Sequence, residues 1–410
     1  KNQEPETRNQ KPSRDPLSVY GGLEILIGLY GLLLPFLIAH LEPFFRWTYP
    51  DSEGSFFAFH LTRFVLCILL LLLPTTLMGG TFPVLCRYFV KSQDRLGWDL
   101  GRLYGLNLWG GVLGAACAGF FLLPGFGVAL THRTAALTNL ALGFAALWVC
   151  RRATRIERSL PGTRTQESGI GKQKSEAGNR KSALAKPPGY SRSPLILAAA
   201  ALSGLSAMIY QVGWTRVLNL SIGSSVYAFS LVLVAFLGGL ALGSLLLSRL
   251  IDRVRDPILL LGLAEGLLAI AAWVAIPLLG RLPLWVIPGI LSHFGHFKSI
   301  LFWELSLVAL VILVPTALMG FLFPLIGKLY VRDLPSLGES VGIVYAANTL
   351  GAILGILAGG FLLVPWLGLR RTLMAGVAVN LGLGVLFLLS SGLSRPLKGV
   401  AVLGVSLLVL

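Results

Sequence analysis

The residues of this chain best suited to chemistry are charged and amide side chains set inside long apolar stretches. Glu24, Arg63, Glu265 and Glu304 each interrupt a hydrophobic run, and Asn107 and Asn348 interrupt two more. An ionised group at the centre of a membrane helix costs about 2.5–3.5 kcal/mol, so each one raises a functional question. Glu24, Glu265 and Glu304 are suited to neutralising a cation, and Tyr210, Trp214, Tyr227 and Tyr345 offer π faces to the same kind of ligand. Arg63, Arg216 and the uncharged Gln211 of Tyr210-Gln211-Val212-Gly213-Trp214 oppose that chemistry. Tyr104 and Asn107, like Tyr345 and Asn348, stand three residues apart on one helical face. Such a stripe serves substrate binding or, as intramembrane Asn more often does, hydrogen bonding between helices. His293-Phe-Gly-His296 has a spacing compatible with chelation, but no carboxylate or thiol adjoins it, and a solvated loop is the simpler expectation.

The elements that must hold these residues are membrane helices. Hydrophobic residues form 55% of 410 positions and charged residues 13%, about half the charged share of a soluble domain. Cys67, Cys86, Cys117 and Cys150 lie in apolar segments without paired spacing, as small core residues rather than disulfide or metal ligands. Apolar runs long enough to cross a bilayer are expected at about 18–41, 58–90, 100–123 and 127–150, then at 194–218, 222–248, 256–280, 298–329, 338–363 and 367–391. The segment 281–298 is expected to lie in the membrane interface.

The first four runs return, 241 residues later, as the last four. Pro74-Thr75-Thr76-Leu77-Met78-Gly79 recurs as Pro315-Thr316-Ala317-Leu318-Met319-Gly320, and Gly110, Gly114 and Pro124 recur as Gly351, Gly355 and Pro365. The same offset pairs Glu24 with Glu265, Arg63 with Glu304, Asn107 with Asn348 and Asn139 with Asn380. Matched Pro and Gly in the fourth span of each half are expected to interrupt the helix, and such breaks point to binding sites in duplicated transporters. A plain kink is the competing reading.

Charge sets the orientation. The formal charge of +16 sits in loops rather than on a nucleic-acid-binding face, and residues 151–192 hold eleven Lys/Arg against three Asp/Glu. The expected organisation is a polar segment 1–14, a first membrane repeat 15–150 of four spans, a basic cytoplasmic linker 151–192, a second repeat 193–391 of six spans, and the start of a further span at 392–410. Both halves then begin inside, which makes the repeat parallel. The fold class expected is an all-α polytopic membrane protein built from two parallel six-helix repeats, the first lacking its first two helices. In a two-fold arrangement Arg63 and Glu304 would face each other as a gate, although snorkelling of each to the outer interface is the commoner fate.

The segments LSGLSAMIYQVGWTRVLNL from Leu202, PTALMGFLFP from Pro315 and GIVYAANTLGAILGILAGGFLLVPWLGLR from Gly342 carry a resemblance. They resemble the membrane domain of the fused transporter-like/spermidine synthase family, in which a major-facilitator-like bundle precedes an aminopropyltransferase-type domain. The resemblance covers most of residues 15–410 and implies that any such domain would follow Leu410. It departs at Gln211, where family members usually have Glu, and that departure weakens the case for cation transport. No strand, Gly-rich turn and helix, and no acidic catalytic loop, accompanies it, so no catalytic residue, metal or cofactor is expected in this chain.

Three readings remain open from sequence: binding or translocation of a small organic cation such as a polyamine, a membrane anchor for a cytoplasmic synthase domain, and an accessory subunit of a larger membrane complex. The expected partners are the lipid bilayer and other membrane subunits or a synthase domain, with no nucleic acid. The expected location is a bacterial inner membrane.

Overall fold

A computed structural model describes residues 15–47, 56–159 and 192–392, together with positions 396, 399, 403 and 404. The polar segment 1–14, most of the linker and most of the final stretch lie outside these residues. Among the described residues, ten α-helices form and no strand does. They are α1 (Pro16–Trp47), α2 (Phe56–Phe89), α3 (Leu96–Cys117), α4 (Leu123–Ser159), α5 (Pro194–Ile222), α6 (Val226–Ile251), α7 (Pro257–Ser292), α8 (Phe297–Tyr330), α9 (Leu337–Leu357) and α10 (Val364–Ser390). Side chains at the boundaries set the starts of α5 and α7. Ser193 accepts from the Leu195 N–H at 3.2 Å and Asp256 from the Ile258 and Leu259 N–H groups at 3.0 Å, each just ahead of a proline at the first helical position.

Eight continuous helical runs among the described residues are long and apolar enough to cross a bilayer. Two of them, Leu96–Ala153 and Leu337–Ser390, contain 58 and 54 residues. At 1.5 Å per residue they would extend about 80 Å or more, against a hydrocarbon core of roughly 30 Å, so each is long enough for two crossings. The helical path breaks at Gly127 (φ 74°, ψ 177°) and Gly368 (φ 77°, ψ 169°), a conformation that only glycine takes without strain. A π-helical turn precedes each, at Ala118–Leu122 and Ala358–Leu363. These breaks lie 241 positions apart and coincide with the expected span boundaries.

Two expectations are corrected. The matched Pro-Thr-x-Leu-Met-Gly segments do not interrupt their helices: α2 and α8 run unbroken through Pro74 and Pro315. Nor does an interfacial segment begin at Arg281, since α7 continues through Pro277, Pro283 and Pro288 to Ser292. The reason is the solvent. In lipid a backbone group released by proline has no water to turn to, so the chain keeps its helix and supplies another donor. Pro74 cannot bond the Leu70 carbonyl, and the Tyr30 hydroxyl donates to it at 2.6 Å. Pro35 likewise releases the Gly31 carbonyl, which His132 Nε2 meets at 2.6 Å.

The chain divides into two compact units. The first comprises residues 1–88 and 132–185, the second 89–131 and 186–410. The cut differs from the expected one at the linker, because α3 clusters with the second-half helices. Its face Gly97, Gly101 and Gly105 packs on Ile251, Ser248 and Leu245 of α6, and Ser244 Oγ donates to the Gly101 carbonyl at 2.8 Å. Asp252, just beyond α6, accepts from the Gly97 and Trp98 N–H groups at 3.1 and 2.8 Å and from Lys328 Nζ at 2.7 Å. One carboxylate thus caps α3 and pairs with a lysine in the last turn of α8.

Within the first unit, α1 packs on α4, where Gly21 lies against Leu147 and Gly143 against the Gly21 carbonyl. Within the second, α7 packs on α10, where Gly262 lies against Leu388 and Gly384 against the Gly262 carbonyl. Every one of these positions is displaced by 241. Cys150 donates to Asp15 Oδ2 at 3.1 Å inside the first unit, whereas Cys67 and Cys117 are exposed rather than in a core.

Candidate functional site

In the second unit α5, α7 and α10 bring three polar side chains together, away from any exposed surface. Glu265 of α7, Tyr210 of α5 and Asn380 of α10 are all 0% exposed. Asn380 Nδ2 donates to Glu265 Oε2 at 2.6 Å, and the Tyr210 hydroxyl donates to Asn380 Oδ1 at 2.9 Å. The order is self-consistent, because an ionised carboxylate only accepts and the amide must then turn its oxygen toward the phenol. Local sequence makes the approach possible. Gly376, one turn before Asn380, leaves room for the Tyr210 ring, which a Cβ there would meet at 2.8 Å. Trp214, one turn along α5, stacks on that ring at 5.2 Å.

The network is incompletely satisfied. Glu265 Oε1 has no hydrogen-bond partner among the described residues, and neither has Trp214 Nε1. The Ser203 hydroxyl lies close enough to the carboxylate to interact with it without completing a bond to Oε1. Burying a carboxylate that lacks a cationic partner is strongly unfavourable.

Ser203 also lines a cavity of about 90 Å³ among α3, α5, α6, α8 and α9. Tyr104, Phe236, Met319, Phe323 and Asn348 form other parts of its wall. Tyr104 and Tyr345 flank Phe323, with ring centroids 4.5 and 5.9 Å from it. The volume is room for about three waters at some 30 Å³ each. It is well below the roughly 300 Å³ at which pockets begin to enclose a drug-sized ligand.

The remaining expected site residues are spread more widely. Glu24 is buried on α1 beside Tyr20 in the first unit. Arg63, in the same unit, is exposed over the Phe59 ring at 5.5 Å. Glu304 is buried on α8 in the second unit. Gln211 is half-buried and Asn107 exposed, while Asn348 reaches the cavity. Arg216 donates to the Gly360 carbonyl of the second π-turn at 3.3 Å. Tyr227 packs between Phe120 and Phe297, so the four aromatic side chains do not form a single cage. His293 Nδ1 lies 2.8 Å from the Gly289 carbonyl, with its ring stacked on Trp303.

Part of the chain is similar to a curated protein. A polyamine aminopropyltransferase of Corynebacterium efficiens is 27% identical to it over 191 residues, 46% of this chain and 33% of that protein. The chain thus spans about a third of the length of the curated relative it matches. No protein-family model matches.

Sequence reasoning missed two members of the polar network. Asn380 was visible only as the repeat mate of Asn139, and Ser203 is one serine among several in an apolar helix. The available signal was their joint register: Asn139 and Asn380 share the offset that links Glu24 and Glu265.

Proposed function

We propose that this chain is the membrane bundle of a multi-pass protein linked to polyamine metabolism, and that its second unit binds a small organic cation, such as a polyamine, at Glu265. The observation that carries the reading is Glu265 itself, fully buried, held on one oxygen by Asn380 and without a hydrogen-bond partner on the other among the described residues. The partial likeness to a polyamine aminopropyltransferase supports the substrate class. The contacts that recur at a displacement of 241 support two parallel repeats in a major-facilitator-like bundle, and the basic segments 91–95, 151–192 and 249–255 support an orientation with those loops inside a bacterial inner membrane. The cavity of about 90 Å³ admits an ammonium head but not a whole polyamine, and it is lined by Ser203 rather than by Glu265, so binding at the carboxylate requires it to widen toward α7. Radiolabelled putrescine and spermidine uptake into proteoliposomes tests the reading. Glu265→Gln is expected to abolish it, and unchanged flux in that variant refutes it.

A second reading is a membrane anchor for a synthase domain or for another subunit of a membrane complex. It is favoured by the small cavity and by aromatic faces already occupied by other rings. Recovery of a stoichiometric partner, with Glu24→Gln and Glu265→Gln both tolerated and no uptake by the wild-type protein, would support it over cation binding.

A further inference from the structure

Glu265 holds more chemistry than charge neutralisation. The helices packed on α7 are α5, α8 and α10. Their titratable or charged side chains are Tyr210 and Arg216 on α5, Lys298, Glu304, Lys328 and Tyr330 on α8, and Arg370 and Arg371 on α10. The basic residues among them for which the structure records contacts are engaged elsewhere. Arg216 is spent on the Gly360 carbonyl and Lys328 on Asp252 and the Ile251 carbonyl. Tyr210 reaches the carboxylate only through Asn380. Among the described residues, Asn380 thus donates a hydrogen bond to Oε2, Ser203 stands nearby, and no recorded ion pair reaches either oxygen.

In the neutral acid the proton falls on Oε1, the oxygen that has no hydrogen-bond partner among the described residues. Oε2 then keeps the Asn380 amide hydrogen as a carbonyl acceptor, so the network survives both protonation states without rearrangement. Ionisation needs a route for the proton and a way to solvate the anion. Ser203 offers both, because it stands beside the carboxylate and also lines the cavity, which has room for about three waters.

We propose that Glu265 is a proton-exchange site, passing the proton between Oε1 and water in the cavity by way of the Ser203 hydroxyl. The step is balanced: the Oε1–H bond breaks as an O–H bond forms on Ser203 Oγ, the original Ser203 O–H bond breaks as one forms on a cavity water to give hydronium, and the carboxylate is left hydrogen-bonded to Asn380 and to the re-formed Ser203 hydroxyl. The inference concerns the same carboxylate as the cation reading, but it stands without any organic substrate.

Infrared difference spectroscopy of the purified protein in lipid, between acidic and alkaline buffer and without polyamine, tests it. A carboxylic-acid C=O band that titrates, and moves to lower frequency in D2O, is expected in the wild type. Glu265→Gln should remove it, while Glu24→Gln and Glu304→Gln should retain it. Asn380→Leu keeps the acid but deletes its hydrogen bond, so the band should persist at higher frequency, which guards against a Glu265 variant that fails to fold. Ser203→Ala should leave the band in place and slow its deuterium shift. A band unchanged by both Glu265→Gln and Asn380→Leu, or no titrating band at all, overturns the proposal. Because no polyamine is present, loss of polyamine binding alone leaves this result standing, and loss of the band leaves the binding result standing.

Discussion

The bond from Tyr30 to the Leu70 carbonyl gives the sharpest test of how this chain tolerates prolines in lipid. Pro74 has no N–H, so the carbonyl four residues earlier loses its helical donor, and the Tyr30 hydroxyl occupies it at 2.6 Å. Tyr30→Phe removes that donor and leaves a carbonyl unpaired at the α1–α2 contact. An orphaned acceptor costs about 1–3 kcal/mol in general, and interhelical bonds in membranes average about 0.6 and reach about 1.7. We therefore expect Tyr30→Phe to destabilise the protein by about 1–1.5 kcal/mol. Pro74→Ala restores the backbone N–H, and Tyr30→Phe in that background should cost less than about 0.5 kcal/mol. The cycle would thus show a coupling near 1 kcal/mol between two residues whose side chains need not touch. Reversible unfolding in mixed micelles, read by tryptophan fluorescence, supplies the four free energies. An equal cost of Tyr30→Phe in both backgrounds would show that proline does not create the demand that tyrosine meets.

Other consequences follow from the same structure. Gly351→Ala should destabilise by about 1–3 kcal/mol, since its Cβ would strike the Ala201 carbonyl, whereas its mate Gly110→Ala meets nothing within 4 Å and should stay within about 0.5 kcal/mol, as judged by thermal midpoints in detergent. Asp252→Ala removes the cap of α3 and the partner of Lys328, and should cost about 2 kcal/mol, more than Lys328→Met, which leaves the cap in place. Gly376→Ala should displace the Tyr210 ring and break its bond to Asn380, altering Trp214 emission, while an unchanged spectrum would argue against the close approach.

Much of the fold was legible because lipid imposes simple rules on sequence. Apolar length located the spans, and the helix breaks at Gly127 and Gly368 sit where the hydrophobic runs are divided. Prolines were misleading for a physical reason. In water Pro277, Pro283 and Pro288 would signal an end, but α7 continues through them because an unwound segment in hydrocarbon has nowhere to place its backbone polar groups. Small-residue spacing marked the faces where backbones approach, yet it does not name a partner, so the packing of α3 on α6 could not be read from Gly97, Gly101 and Gly105 alone. Glu265 stood out as a charge among apolar residues. Its dependence on Asn380, 115 residues away, and on Ser203, 62 residues away, exists only once three helices are assembled.

The central claim is that Glu265 binds an organic cation within the bundle, and equilibrium binding of radiolabelled spermidine to the purified chain in lipid nanodiscs tests it most directly. The account predicts saturable binding that falls at least about tenfold in Glu265→Gln, equivalent to about 1.4 kcal/mol. Binding of equal strength in the two proteins, or none in the wild type, would contradict it.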